Sequence, residues 1–317
     1  PNSSFSTFTA RFDDEKYDEG SFIQILQSEK EFDAHFCHPK HDLLISDLDE
    51  IFYHQEEPFG STSIVAQWEV MKLAKQHNTV VLLDGQGADE TMAGYYKYFI
   101  PYLQEVKSKN NRKFKEELNH IENTLELNKL ISRKEKLRLK APSLFDKISD
   151  LTRPIRGSGL GADLNPEFTR QFTKSPTPFH RNGNLNDFLY NDIFQYGLGK
   201  LLRFSDRNAM AHGREVRLPY LYHELVEFVF SLPNHLKMHQ GWTKYILRYS
   251  MKDRIPNEIS YRKDKKGFQA PGSWLHHAEI LELLEFSQSQ LKRAGYLKMP
   301  NPNNSWQYIM ASKLLSK

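Results

Sequence analysis

Thr79-Val80-Val81-Leu82-Leu83 is a continuous apolar run, β-branched at its start, that leads directly into Asp84-Gly85-Gln86-Gly87-Ala88-Asp89-Glu90. An uninterrupted apolar strand of this kind, with no polar alternation, predicts burial on both faces, as in a parallel sheet covered by helices. In open α/β sheets, ligands bind at the carboxyl ends of such strands. Gly85 and Gly87 stand where a turn needs positive φ and where a backbone can come close to a ligand. Asp89 and Glu90 can hold a metal ion or balance a cation. A helix beginning near Ala88 would turn its free N–H groups toward the same loop. Taken by itself, the segment also reads as an ordinary glycine turn between a strand and a helix.

The surrounding chain supports the α/β reading. Phe5 to Phe12 and Asp33 to Cys37 read as strands; Gly20–Lys30, Asp47–His54 and Ser63–Gln76 read as helices, with Ser61, Thr62 and Ser63 offering capping oxygens to the last. Alternating strands and helices over the first ~95 residues predict a doubly wound, mainly parallel sheet. From Tyr98 to about Asp150 the pattern is charged and helical. Arg153 to Asn186 is rich in Gly, Pro and Asn and reads as loop. Asp187 to Arg207 and His223 to Phe230 are helical again, so the C-terminal half is largely helical.

Composition narrows the function classes. Across 317 residues, 43 Lys and Arg against 40 Asp and Glu leave a formal charge of +3, too balanced for a dedicated nucleic-acid binder. Mean hydropathy is −0.65, and no apolar run approaches the ~18 residues a membrane span needs. The single cysteine, Cys37, excludes an intrachain disulfide and a thiolate-rich zinc site, and points to a reducing, intracellular setting. The sequence opens on Pro1 without a signal-peptide pattern and reads as a piece of a longer protein.

Three further clusters carry charge. Gln55 to Ser63 puts carboxylates and hydroxyls just ahead of a helix. Arg203 to Leu221 is dense in Arg and Asp, with Glu215 between Arg214 and Arg217. Tyr261 to Leu275 places Arg262, Lys263, Lys265 and Lys266 before Gly267-Phe268. Each, alone, has a plain reading: a cap, a buried structural ion-pair network, a solvated loop.

Their order along the chain is another matter. The patterns E-P-F-x-S-x-S at Glu57, L-x-G-Q-G-A-D-E at Leu83, D-R-x-x-M-A-x-x-x-E-V-R-x-P at Asp206 and R-K-D-K-x-G-F-x-x-P-x-x-W-L at Arg262 follow one another between Phe5 and Leu275. In this the chain resembles the synthetase domain of glutamine-hydrolysing asparagine synthetases. The resemblance implies an adenine-nucleotide α-hydrolase-like fold over residues 1–317. About 1–100 would form the α/β nucleotide-binding part, and about 101–317 a mainly helical part completing the site.

It also implies the chemistry: adenylation of the aspartate side-chain carboxylate by ATP with Mg2+, release of pyrophosphate, then attack by ammonia derived from glutamine. Carried over by motif, Ala10, Asp84, Gly85 and Gly87 contact the nucleotide, Asp89 binds metal, Lys265 stabilises phosphate charge, and Glu57 and Arg207 bind substrate. The resemblance further implies a cytoplasmic homodimer, with neither nucleic acid nor membrane as partner.

The sequence departs from the family pattern in places. Gln86 stands where the best-studied branch carries a carboxylate; an amide cannot act as a general base, so Gln86 is expected to orient rather than titrate. Asp84 replaces a usual serine, and Tyr222 a usual aspartate. The family's pyrophosphate loop, S-G-G-x-D-S, expected one strand before Phe5, does not occur in the 317 residues. Nor does a glutaminase region led by an N-terminal cysteine. The expectation is therefore a synthetase domain without its first strand and phosphate loop, inactive alone. Two alternatives stay open: a ligase acting on another carboxylate, in peptide ring closure or surface-polymer modification, and a non-catalytic nucleotide-binding domain.

Overall fold

The computed structural model describes residues 5–125, 162–170, 183–263 and 267–316. Lys265, and most of the 153–186 loop segment, lie outside them.

The chain starts as β1 (Ser6–Ala10), α1 (Gly20–Glu29) and β2 (Asp33–Cys37), with β1 and β2 parallel and Phe8 opposite His35. Then come α2 (Leu43–Ser46), α3 (Leu48–Gln55) and α4 (Ser63–Gln76). In α4, Ile64, Trp68 and Met71 recur at helical spacing and are all buried. The Thr62 side chain caps nothing; Ser61 Oγ instead accepts from Ser63 N at 3.2 Å. The helix ends where Asn78 takes a φ of 56°, a left-handed conformation that Asn tolerates better than most residues.

β3 (Val81–Leu83) and α5 (Ala88–Thr91) follow, then α6 (Phe99–Lys109), α7 (Asn111–Leu125), α8 (Pro166–Arg170), α9 (Leu185–Asn191) and α10 (Leu198–Ala211). A π-helical turn, Asp192–Tyr196, joins α9 to α10. β4 (Glu215–Arg217) comes next and pairs parallel to β3. The remaining helices are α11 (His223–Ser231), α12 (Asn234–Lys237), α13 (Tyr245–Ser250), α14 (Asn257–Ser260), α15 (Ala278–Arg293) and α16 (Ser305–Leu315).

The protein is thus an α/β structure rich in helix, and its strand pairs are parallel as expected. Among the described residues, however, the strands pair two and two, β1 with β2 and β3 with β4, rather than in one continuous sheet. The two-faced burial expected for residues 79–83 does not hold. Val80, Val81 and Leu83 are 57%, 38% and 75% exposed, because no described element covers that face. Nor is Arg214 to Arg217 a buried charge network. Glu215 and Arg217 pair at 2.7 Å in solvent, and Arg214 donates from Nη1 to the Thr79 carbonyl at 3.0 Å. The segment is a strand whose charges sit on its open side.

Two hydrophobic cores hold the helices. One brings α2, α3 and α4 against α15 and α16, with Leu48, Ile51, Trp68, Trp274, Ile280 and Trp306 among its members. Trp306 Nε1 donates to the Phe59 carbonyl at 2.7 Å, across 247 positions of sequence. The other packs Tyr98, Phe99, Leu103 and Ile121 against Leu185, Leu189 and Met238. Each fully buried Leu or Ile contributes about 1.5–3 kcal/mol. Between α3, α4 and α10, Asn208 is fully buried. Its Oδ1 accepts from Gln55 Nε2 at 2.8 Å, and its Nδ2 donates to the Ile64 carbonyl at 2.9 Å and to Gln67 Oε1 at 3.1 Å.

Candidate functional site

The strand-to-helix loop after β3 is built as a chain of short-range constraints. Asp84 N donates to the Arg217 carbonyl at 3.0 Å, carrying the β3–β4 ladder one step further. Asp84 Oδ1 accepts from Gln86 N at 3.1 Å. Burial raises the Asp84 pKa, and the amides of Gln86 and Gly85 pull it partly back. Gly87 has a φ of 90°, and a Cβ there would stand 2.3 Å from Leu221 Cδ2; glycine is required on both counts. Gly85 differs from expectation. Its φ is not positive, and a methyl added there would find its nearest neighbour in Tyr220 Cε2, at 4.0 Å. Among the described residues nothing fills the space beside Gly85, so a ligand could come close to its backbone there.

From Ala88 one helical turn points Asp89 and Glu90 in opposite directions. Glu90 is buried, and its Oε1 accepts from Tyr95 OH at 2.7 Å. Asp89 faces a cavity of about 330 Å³ lined also by Tyr96, Tyr220, Trp242, Lys244, Arg248, Arg262 and Lys263. Asp89 Oδ1 meets Lys244 Nζ at 2.9 Å. Gly94 makes room for that carboxylate: a Cβ at Gly94 would lie 1.8 Å from Asp89 Oδ1. Lys244 itself caps α13 with a φ of 50°, a left-handed backbone that a lysine adopts at a cost and that places its ammonium on Asp89.

Arg248 is tied down by its own backbone neighbours, donating from Nε to the Thr243 carbonyl at 2.7 Å and from Nη1 to the Ser260 carbonyl at 2.6 Å. Burial lowers its pKa. Tyr96 OH donates to the Lys263 carbonyl at 3.0 Å, anchoring the chain at the cavity rim just before residues 264–266. Asp89 is the sole carboxylate among the described lining residues, against Lys244, Arg248, Arg262 and Lys263. Arg262 also pairs with Glu19 at 2.8 Å, so two of these four cations are balanced, and the wall keeps a smaller positive surplus that favours an anion.

The sequence-derived candidates fall into three groups. Asp89 lines the cavity. Asp84, Gly85, Gln86 and Gly87 form the loop that borders it through Tyr220, and Gln86 Oε1 is buried there with no hydrogen-bond partner among the described residues. Ala10 is buried at the end of β1, opposite Cys37. Glu57 and Arg207 are not brought to the cavity lining: Arg203 pairs with Glu57 and Arg207 with Glu56, each at 2.8 Å, between α10 and the segment following α3. Lys265 is outside the described residues.

Lys244 was missed in the sequence, since Gly241-Trp242-Thr243-Lys244 matches none of the four patterns. Among the described residues no cluster of three or more His, Cys, Asp or Glu offers a metal cage. The donor set at Asp89, one carboxylate, suits only an ion that brings most of its ligands with it, as Mg2+ does with water and phosphate oxygens. No helix among the described residues is long and apolar enough to cross a membrane.

Comparison with known proteins fits this arrangement. Asparagine synthetase [glutamine-hydrolyzing] 1 of Bacillus subtilis is 28% identical over 232 residues, 72% of this chain and 36% of that protein. Asparagine synthetase [glutamine-hydrolyzing] 2 of the same organism is 25% identical over 310 residues, 90% of this chain and 37% of that protein. The human asparagine synthetase [glutamine-hydrolyzing] is 32% identical over 108 residues, 33% of this chain and 18% of that protein. The chain thus spans little more than a third of the length of the two Bacillus relatives. The asparagine synthase family model matches residues 2–306, which takes in both strand pairs, the glycine loop and the cation-walled cavity, and the chain belongs to that family.

Proposed function

We propose that this chain is the synthetase part of an ATP-dependent amidotransferase that activates the side-chain carboxylate of aspartate and passes it to ammonia, giving asparagine, AMP and pyrophosphate. The observation that carries the reading is the Asp89–Lys244 pair at 2.9 Å on the wall of an otherwise cationic cavity, beside the carboxyl end of a parallel strand. A leaving pyrophosphate gains negative charge as it departs, and fixed cations stabilise that charge more in the transition state than before it. Asp89 would hold Mg2+, which would supply positive charge against the same developing charge and leave Lys244 to face phosphate. Lys265, two residues past the cavity-lining Lys263, is within ~7 Å of chain from it and acts as a further cation on the phosphates.

Ala10, Asp84, Gly85 and Gly87 would border the nucleotide, and the unpaired Gln86 carbonyl oxygen would orient a donor on the substrate. The roles of Glu57 and Arg207 in substrate binding rest on the family resemblance alone. In this reading β2, β1, β3 and β4 belong to one doubly wound sheet, residues 1–100 and 101–317 are its α/β and helical parts, and the protein works as a cytoplasmic homodimer beside a glutaminase domain.

The test uses the longer polypeptide that contains this chain, with ATP, aspartate and ammonia. Lys265→Ala should slow pyrophosphate release roughly 100-fold or more with glutamine hydrolysis intact, while Lys113→Ala on α7 changes neither. A Lys265→Ala enzyme as fast as that control would remove the loop from the chemistry. Pyrophosphate release that ignores aspartate but answers to another carboxylic acid would move the reading to a different acceptor. The 317-residue chain by itself should release none.

A further inference from the structure

We infer that Glu117, a carboxylate on α7 outside the cavity, is a positioning residue for Lys244: it clamps the turn that carries this lysine to Asp89. The inference rests on the synthetase reading above and adds to it a residue that touches no substrate.

The turn is costly for its sequence. The His239 N–H donates to the Trp242 carbonyl at 3.0 Å, and the Trp242 N–H returns to the His239 carbonyl at 2.8 Å. Gln240 and Gly241 are therefore the central pair of a two-residue hairpin, and their φ values are 49° and 78°. Positive φ at both positions is the type I′ arrangement, which favours Asn or Asp ahead of Gly. Glutamine lacks that tolerance. Four residues after Gln240, Lys244 turns left-handed again at a φ of 50°. A backbone of this kind persists only where its surroundings hold it. Arg248 secures one side through the Thr243 carbonyl.

The other side is held from α7. Glu117 is buried, and its Oε1 accepts from the Gln240 N–H at 3.2 Å and lies 3.2 Å from His239 Nδ1. One oxygen thus grips both residues that open the turn. The His239 ring stands edge-on to Tyr245, the residue after Lys244, with centroids 4.9 Å apart. The turn also rides on the helix backbone: a Cβ at Gly241 would lie 3.0 Å from the His120 carbonyl oxygen and 3.1 Å from Ile121 Cα. Tyr102 of α6 is buried beside the same carboxylate; burial, then the Glu117 charge, raise its pKa.

Burying a carboxylate costs free energy that an apolar side chain would avoid. Phe114, Leu118 and Ile121 already pack α7 into its core, so the helix does not need Glu117 to adhere. What Glu117 holds is the turn. What the turn delivers is Lys244, whose Nζ meets Asp89 Oδ1 at 2.9 Å. Gly241, Trp242, Thr243 and Lys244 line the cavity, whereas Glu117 and His239 are not in its lining; the grip comes from behind. A shift of about 1 Å in a charge that must meet a departing phosphate can cost roughly 100-fold in rate, so a remote carboxylate has leverage over the chemistry.

The test uses the longer polypeptide with ATP, aspartate and ammonia. It reads pyrophosphate release and, separately and without ligands, acetylation of Lys244 by limiting acetic anhydride, mapped by mass spectrometry. Glu117→Leu should lower kcat roughly tenfold or more. It should also speed Lys244 labelling roughly threefold, as for an amine released from its ion pair, with the exposed Lys113 unchanged. Glu117→Gln should stay within about twofold of the parent in both, because an amide oxygen still accepts from the Gln240 N–H. In a Lys244→Ala background, Glu117→Leu should add less than about a twofold further loss, the mark of two residues acting as one. Losses that multiply would make Glu117 merely structural and overturn the clamp. Lys244 labelling unchanged in Glu117→Leu, with Lys244→Ala itself slow, would overturn it too. Where Glu117→Leu does not fold, His239→Phe carries the same comparison, since it keeps a ring against Tyr245 and loses only the contact to Glu117. A Lys244→Ala enzyme that releases pyrophosphate at the parent rate would instead remove the synthetase role of the lysine, and the clamp's purpose with it, whatever the labelling shows.

Discussion

The two glycines of the Asp84–Glu90 loop look interchangeable in sequence, and the structure makes them opposites. Gly87→Ala forces a Cβ into a backbone at φ 90° and to within 2.3 Å of Leu221 Cδ2. The left-handed conformation costs an L-residue about 1–2 kcal/mol, and forcing a methyl into a filled space costs about 1–3 kcal/mol. Leu221 is the end of a flexible side chain, so the lower half of the second range applies, and the sum is about 2–4 kcal/mol. For a chain of this size that lowers the melting temperature by roughly 3–6 °C. Gly85→Ala meets nothing closer than 4.0 Å and removes unfolded-state freedom, which stabilises by about 0.4–1 kcal/mol where the backbone accepts it. Urea and thermal melts of the two variants, made side by side, give the comparison. A Gly85→Ala protein as destabilised as Gly87→Ala would refute the account of this loop. With the loop bordering the nucleotide as proposed, Gly85→Ala should nevertheless impair nucleotide binding, since the ligand would take that space.

Other expectations concern buried polar groups. Asn208→Leu removes three buried hydrogen bonds, to Gln55, Gln67 and the Ile64 carbonyl, and should cost about 2–4 kcal/mol by chemical denaturation; a loss below about 1 kcal/mol would mean the network is not closed as described. Burial, with Lys75 and Lys72 nearby, pushes His212 down to about 4 from 6.5. Between those pH values the unfolded chain binds the proton that the folded chain refuses, so stability falls as pH drops through that window, by roughly 3 kcal/mol. His212→Leu should flatten that acid limb in pH-dependent melts. Lys237, fully buried with its ammonium on Asn186, Asn234 and the Leu232 carbonyl, is pushed down by burial to about 8 from 10.5. The unfolded state holds the extra proton between pH 8 and 10.5, so stability should rise across that range and Lys237→Met should lose the rise.

Helix boundaries were the most legible part of the sequence. Ser63–Gln76 is read directly from Ile64, Trp68 and Met71, because a face that must be buried repeats with the turn of the helix. The parallel pairing of the first strands followed from their alternation with helices. Burial of Thr79 to Leu83 was misread because an apolar run shows that a strand suits a covered position but does not itself supply a neighbour for each face. β4 was invisible for a related reason: Glu215-Val216-Arg217 has no strand signature of its own, and it is extended only because β3 lies beside it. At the site, the glycine loop announced itself, whereas Lys244 did not. Its place depends on a left-handed turn at Gln240, Gly241 and Lys244 that returns the chain to Asp89 from over 150 residues away, a distance no local pattern spans.

The bond from Trp306 to the Phe59 carbonyl has a consequence for how the protein is made. The core shared by α2, α3 and α4 is completed by residues of α15 and α16, far along the sequence. A ribosome adding about 5–20 residues per second needs ~10–50 s to travel from Phe59 to Trp306. For that interval the core residues of α2, α3 and α4 lack the partners that α15 and α16 supply. Nascent chains stalled short of α16 should accordingly be more protease-sensitive over α2, α3 and α4 than chains that have passed it, and emergence of α16 should protect those three helices in the same step.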